Sequence, residues 1–164
     1  MIDSKVYTIK TNPVYKGKEE PLRDILVDEK NVEEEFYVNN KDLKKWKYLK
    51  NSKQEERETK DGFKYNYSEG SMIFPDDLDK ASRTIITGEG GSGPSRFKHV
   101  IAPPSNPKKL RRLTPIELER LNMFPDDHTK LENVSNTKRA FLMGNALVVG
   151  VIKKLGDSLY NFYE

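Results

Sequence analysis

The stretch Arg111–Asp127, "RRLTPIELERLNMFPDD", writes out a whole helix in very little chain. Thr114, Pro115 and Glu117 have the spacing of a capping box: the Thr114 hydroxyl can accept from the Glu117 amide, Pro115 needs no donor in a first turn, and Glu117 can reach back. Such a cap contributes about 1 kcal/mol. Ile116, Leu118, Leu121 and Met123 point mainly inward, and Phe124-Pro125 stops the run, so a helix is predicted over 114–123. Cap and apolar face leave Arg111 and Arg120 without a reason.

On the C-terminal side, 138–155 reads as a second helical stretch. Within it, Phe141 to Ile152 is apolar around nearly its whole circumference, broken only by Gly144, Asn145 and Gly150. A helix apolar all round must be buried on all sides, and a small domain cannot readily enclose it. Asn145 is the lone polar group there and would be costly if buried unpaired.

On the N-terminal side, "APPSNPKK" interrupts all periodicity, and before it "RTIIT" (83–87) and "RFKHVIA" (96–102) are β-branched or aromatic runs separated by "GEGGSGPS". Phe63, Tyr65 and Tyr67 alternate with polar residues at strand period, so a β-rich middle is expected. "NSKQEERETKDG" has no apolar period and reads as a loop. Asn40 offers a cap for a short basic helix through Leu43, Trp46 and Leu49, with Trp46 in the core and Lys44, Lys45 and Lys47 on a solvated face. Earlier still, "EEFYV" reads as a strand, "LRDILV" as one or two helical turns, "NPVYKGKEEP" as a loop and "VYTIK" (6–10) as a strand.

With 164 residues, 35% of them hydrophobic and 34% charged, the chain is sized for one domain, with room for one appended element that packs elsewhere. A net charge of +3 permits a polyanionic partner without demanding one. Basic clusters stand at Lys44–Lys50 and Lys108–Arg112. The absence of cysteine removes disulfides, thiolate catalysis and cysteine zinc sites, and two separated histidines do not suggest a metal. No stretch has the length or character of a signal peptide or membrane span, which leaves the cytoplasm as the default.

"RRLTPIELERLNMFPDD" followed by "RAFLMGNALVVGVIKKLG" resembles the last two signature blocks of DNA (cytosine-5-)methyltransferases: an Arg-x-Leu-Thr-Pro-x-Glu helix ending in Phe-Pro-Asp, then a Gly-Asn-Ala/Ser-Val helix. "LRDIL", "SRTIITGEGG" and "PSRFKHVI" are similar to the target-recognition region that precedes those blocks, so the resemblance covers most of the chain. It departs from the family in lacking the Pro-Cys nucleophile and the early Gly-rich loop for S-adenosylmethionine; "ENV" at Glu132–Val134 stands in the wrong place to be the family's Glu-Asn-Val. The chain thus resembles a C-terminal portion without its N-terminal catalytic half, which implies inactivity alone.

The implied fold class is α+β: a β-rich target-recognition domain with short helices over 1–134, then a segment over 135–164 that returns to a missing α/β S-adenosylmethionine-binding domain. By resemblance, Gly144, Asn145 and Ala146 border the cofactor; Arg83, Thr84, Arg96 and Lys98 meet double-stranded DNA; and Arg111, Thr114, Glu117 and Arg120 support the recognition region. Thr84-Ile85 resembles the Thr-Leu step that meets the backbone near a flipped base, and Arg83 or Arg96 could read guanine bidentately. The same arginines could instead be solvated or pair with Asp76, Asp77 or Glu89, and Asn145 could merely satisfy a helix end. His99 reads as a half-buried strand residue and His128 as a loop cap.

The implied partners are DNA and the catalytic portion, with self-association of the isolated chain through its apolar helix, and no metal or membrane. Two other readings stay open: a non-catalytic DNA-binding module of the same architecture, and a nucleotide-binding protein using "GEGGSGPSR", which lacks a Gly-Lys-Ser/Thr ending.

Overall fold

Two of the helices start at side-chain caps, Thr114 and Ser135. The computed structural model describes residues 3–10, 12, 14 and 16–163. In chain order it has four 3-10 turns between Leu22 and Asp42, α1 (Leu43–Lys50), β1 (Lys53–Glu58), β2 (Lys64–Glu69), α2 (Pro115–Leu121), α3 (Asn136–Asn145) and α4 (Val149–Tyr163). The architecture is α+β, with one two-stranded antiparallel sheet among the described residues.

The capping box at α2 is complete: Glu117 N–H donates to the Thr114 hydroxyl at 3.3 Å, and Thr114 N–H donates to Glu117 Oε2 at 2.7 Å. At its other end, Phe124 N–H reaches the Glu119 carbonyl and Met123 N–H the Arg120 carbonyl, with Met123 left-handed at φ 62°. Helix α2 packs on α3 and on the first 3-10 turn, Leu22–Ile25. The core of Leu22, Ile101, Leu113, Leu118, Ala140 and Met143 lies where these segments meet, bordered by Ile25, Leu26, Ile85 and Leu121. Trp46 is buried beneath α1.

Several expectations are corrected. The run 53–58 is strand β1, with no apolar alternation to announce it. It is held to β2 by the ladder and by charge and ring pairs: Lys53 faces Glu69 with an ion pair of 3.6 Å, and the Arg57 guanidinium sits 3.5 Å from the Tyr67 ring centroid. Val6–Lys10 forms no strand, and 34–36 is a 3-10 turn beside an isolated bridge from Tyr37 to Arg111. Thr11, Pro13 and Tyr15, in and beside the expected loop, lie outside the described residues. The single helix expected over 138–155 is two, because the chain leaves α3 at Ala146 with φ −79° and ψ 153° and re-enters helix at Val149.

The largest correction is the middle of the chain. Runs 83–87 and 96–102 form no strands; of them, Ile101 alone makes a bridge, to Arg111. Charged side chains replace a ladder there. Asp76 Oδ2 accepts from Val100 N–H at 2.8 Å, Glu89 Oε2 accepts from His99 N–H at 3.0 Å, and Lys98 Nζ donates to the Gly91 and Gly93 carbonyls at 2.6 and 2.8 Å. Backbone groups withdrawn from water must find partners, and these carboxylates and cations supply them. His99, fully buried, places Nδ1 3.0 Å from Glu89 Oε1 and Nε2 3.1 Å from the Ser82 hydroxyl.

Lys50 is the exception that lowers stability. It is buried with its ammonium donating to the Lys98 carbonyl, and burial, followed by repulsion from Arg83, pushes it down to about 8. Its folded value lies below that of the unfolded chain. Below pH 8 the folded protein therefore carries the full cost of a buried charge, and that cost is relieved as pH rises from about 8 to about 10.4. The Lys98 carbonyl retains Arg83 Nη2 at 3.2 Å if Lys50 is removed. Lys50→Met should raise stability at pH 7 by about 1–2 kcal/mol, a few degrees in Tm, and flatten the alkaline rise. A lower Tm would show the ammonium to be net stabilising, and an unchanged one that its burial carries no net cost.

Candidate functional site

Helix α3 and the glycine-rich segment 86–91 meet through reciprocal bare positions. A Cβ on Gly144 would lie 2.5 Å from the Ile86 carbonyl carbon and from Thr87 Cα, and one on Gly90 would lie 2.7 Å from Thr137 Cα. Each glycine thus lets a backbone approach at a distance that no side chain tolerates. The close approach made at Gly144 is that of Ile86-Thr87. The glycine segment presents carbonyls inward: Gly90 O accepts from Arg112 Nη1 at 3.0 Å and from the Thr137 hydroxyl at 3.3 Å. An anion cradle would turn amides to the ligand, so this packing counts against a nucleotide loop.

Beside the C-terminal end of α3 lies a cleft of about 320 Å³, lined by Ser82, Arg83, Thr84, Ile85, Leu121, Asn122, Met143, Gly144, Ala146 and Val148. Two groups expected to serve different ligands, Arg83 with Thr84 and Gly144 with Ala146, share this one cleft. Thr84 is exposed at it. Asn145, last in α3, is exposed, and its Nδ2 donates to the Phe141 carbonyl at 2.9 Å, while its Oδ1 makes no hydrogen bond among the described residues. One edge of a pocket fits these residues, an exposed amide oxygen beside apolar Ala146 and Leu147.

The other expected cations are engaged internally. Arg83 is bidentate on Asp76, at 2.7 and 3.1 Å, and also donates to the Phe97 carbonyl at 2.9 Å. Arg96 donates to the Leu49 and Asn51 carbonyls at 2.9 and 3.2 Å and to the Gly70 carbonyl, with Glu69 at 3.1 Å. Lys98 is buried and depressed below the usual lysine range by burial and then by Arg112. Thr84 is thus exposed while Arg83, Arg96 and Lys98 hold backbone carbonyls.

At the N-terminal end of α2, Arg111 is fully buried. Its guanidinium donates to both Glu117 oxygens at 2.9 and 2.8 Å, to Glu29 Oε1 at 2.8 and 2.7 Å, and to the Arg112 carbonyl at 3.0 Å. Glu117 Oε1 also accepts from Val27 N–H at 3.1 Å, so one carboxylate joins α2, its cap and the 20s segment. Arg120 donates to the Ile25 and Leu26 carbonyls at 3.0 and 3.1 Å and pairs with Asp126.

A second buried cluster has no counterpart in the sequence reading: Arg139 of α3 meets Glu119 of α2 and Asp127, each at 3.0 Å, and Thr129 donates to Glu119. A charged residue between Leu118 and Leu121 on a helix otherwise assigned to the core was the available signal. His128 lies with its ring 4.7 Å from that of Phe124.

Helix α4 packs against no other element among the described residues; its first turn is tied by Val149 N–H donating to the Asn122 carbonyl at 3.0 Å. Its Val151, Ile152, Leu155, Leu159 and Phe162 are all exposed, and Leu155 is 57% and Phe162 81% accessible. Phe124, Ala146, Leu147, Val149 and Ile152 form an open apolar hollow at its base. No helix among the described residues is long and apolar enough to cross a membrane, and none of them form a group of three or more metal-ligating residues.

The family model for C-5 cytosine-specific DNA methylases matches residues 3–161. A curated relative, the type II methyltransferase M.Sau3AI of Staphylococcus aureus, is 40% identical over 159 residues, which is 97% of this chain and 36% of the relative. The chain therefore spans about a third of the length of the relative it matches. No solved structure matches.

Proposed function

The chain belongs to the C-5 cytosine-specific DNA methylase family, and from that premise we propose that it is the C-terminal, target-recognition portion of a DNA (cytosine-5-)methyltransferase, completed by a catalytic portion with which it associates. Family membership implies DNA as substrate and S-adenosylmethionine as methyl donor, which supplies an electrophilic methyl group on sulfur. The observation that carries the reading is α4: an apolar helix with no packing element of its own has the character of half an interface. Its exposure argues against a stand-alone DNA-binding module, which would have no reason to present it to water, and would make the isolated chain prone to self-association.

In this reading the recognition body is 1–134 together with α3, and the chain returns to the catalytic portion at 146–148, where α3 breaks. Arg83 and Thr84 face the DNA, with the Thr84 hydroxyl on the phosphate backbone beside the extruded base. Arg96 acts by holding the carbonyls of Leu49, Asn51 and Gly70, Lys98 by holding those of Gly91 and Gly93, and Arg111, Thr114, Glu117 and Arg120 fix the 20s segment to α2. Asn145 and Ala146 close one edge of the S-adenosylmethionine pocket, and Gly144 sets the distance between that edge and Thr84. The catalytic thiol belongs to the other portion, since this chain has no cysteine, and the chain alone is inactive.

The test is complementation. Mixed with the catalytic portion of a family member, the chain should support methyl transfer to DNA that neither gives alone, and Ile152→Glu with Leu155→Glu should abolish it without lowering the chain's own Tm. Both side chains are already exposed, so their charge disturbs only what docks there.

A further inference from the structure

Thr84 is exposed at its cleft, and its hydroxyl makes no hydrogen bond among the described residues, so its place is set by the backbone on either side. Both sides lead to one buried carboxylate. After Thr84, Glu89 Oε1 accepts from Ile86 N–H at 3.4 Å. Before it, the Ser82 hydroxyl donates at 2.9 Å to the Arg83 carbonyl, which belongs to the peptide entering Thr84. The same hydroxyl lies 3.1 Å from His99 Nε2, and His99 Nδ1 lies 3.0 Å from Glu89 Oε1. Glu89 Oε2 accepts from His99 N–H at 3.0 Å, so the carboxylate grips the histidine by ring and backbone together. Glu89 and His99 are buried, while Ser82 lines the same cleft as Thr84.

We propose that Glu89, His99 and Ser82 are positioning residues for Thr84: a buried carboxylate and imidazole act through a hydroxyl to fix the 83–86 backbone, and with it the place of the Thr84 hydroxyl against DNA. The inference rests on the recognition reading above, in which Thr84 meets the phosphate backbone. A carboxylate only accepts, so Nδ1 carries the ring hydrogen, and a neutral ring then offers Nε2 to the Ser82 hydroxyl. The one hydroxyl proton stands between two acceptors, Nε2 and the Arg83 carbonyl, and together they orient Ser82. An apolar pair of similar volume would fill the same space without the desolvation that a carboxylate and an imidazole suffer there. What the polar chain adds over packing is a fixed direction for the peptide beside Thr84. None of the three touches DNA or the cofactor in this role; they act through Thr84.

The test uses Ser82→Ala, which cuts the chain at its solvent end, and Ser82→Thr, which keeps the hydroxyl. Ser82 also lines a second cleft, of about 190 Å³ beside Leu22 and Ile73, so the added methyl has open space and water can reach what the alanine leaves. The Tm of either variant should fall by a few degrees at most. In the chain alone, with His128→Gln leaving one imidazole to assign, ring-nitrogen NMR should place a hydrogen on His99 Nδ1. Ser82→Ala should lower the backbone order of Thr84, and Ser82→Thr should keep it. A ring protonated on Nε2 alone, or Thr84 order untouched by Ser82→Ala, overturns the proposal and leaves the recognition reading standing. In the chain mixed with the catalytic portion, well below the Tm of each variant, Ser82→Ala should lower kcat for methyl transfer about three- to tenfold, with KM for DNA and for S-adenosylmethionine within about twofold. Ser82→Thr should restore kcat. A parental kcat in Ser82→Ala, or a loss that Ser82→Thr shares, overturns the positioning role. If the parent chain and the catalytic portion fold, associate and still methylate no DNA, the recognition reading fails and the positioning role with it.

Discussion

Arg111→Ala is expected to lower stability by about 3–5 kcal/mol, most of the margin of a small domain, and to leave the chain largely unfolded near 37 °C. The buried guanidinium serves two carboxylates and a carbonyl. Removing it strands Glu117, which has no accessible surface and keeps only the Val27 and Thr114 amides as partners. An unpaired buried carboxylate bears the cost of its charge. The pairing is testable through a cycle: Arg111→Met with Glu117→Gln should cost clearly less than the sum of the single changes, whereas additive losses would show the two groups acting independently. Denaturant unfolding followed by circular dichroism reads all three.

Gly144→Ala carries the second large effect. Its Cβ would press on the Ile86-Thr87 backbone, which cannot rotate away as a side-chain tip can. Overpacking of this kind costs about 3 kcal/mol at the upper end, while the better helix propensity of alanine returns about 1, leaving a net loss of about 2 kcal/mol. Gly150→Ala is the contrast within the same C-terminal region. Its Cβ would meet only the flexible thioether end of Met123, and Gly156→Ala would meet nothing within 4 Å, so both should be neutral or stabilising by up to about 1 kcal/mol. The Gly144 change should also displace the Thr84 segment from α3, reducing methyl transfer in a complemented enzyme more than DNA affinity. A Gly144→Ala chain as stable as the parent would contradict the close approach.

Helix α2 was legible because its signal is local: a capping box and a Phe-Pro stop need nothing beyond ten residues of context. The uncovered C-terminal helix was legible for a related reason, since an all-round apolar face demands a partner whatever its fold. Its break at Ala146–Val148 was not, because Gly144 and Asn145 weaken a helix without fixing where it ends, and Asn122 takes Val149 N–H and reaches Met143 O only through the tertiary arrangement. The middle of the chain misled for a physical cause. "RTIIT" and "RFKHVIA" have strand composition, but their backbone groups pair with the side chains of Asp76, Arg83 and Glu89, drawn from positions up to two dozen residues away. Strand β1 misled in the opposite sense, because cross-strand charges and rings stabilise it where apolar alternation is absent.

At the candidate site, Thr84, Gly144 and Ala146 were singled out through resemblance to a family, and the fold brings them to one cleft. Arg83 and Arg96 illustrate the limit of that route. A residue type suited to reading guanine is equally suited to holding carbonyls, and only coordinates distinguish an arginine with free donors from one whose donors are engaged. Glu119 and Arg139 join α2 to α3; the place of Glu119 between Leu118 and Leu121 hinted at burial, but its partner Arg139 alone reads as an exposed helical charge.

On the proposed reading, this chain completes a methyltransferase it cannot constitute alone. The most direct measurement is transfer of a labelled methyl group from S-adenosylmethionine to duplex DNA by the chain mixed with a family catalytic portion, with the product digested and assayed for 5-methylcytosine. The account predicts label in 5-methylcytosine from the mixture, none from either component, and none when Ile152→Glu and Leu155→Glu are introduced. Components that each fold, associate through α4 and still methylate no sequence in a random-sequence duplex pool would contradict it.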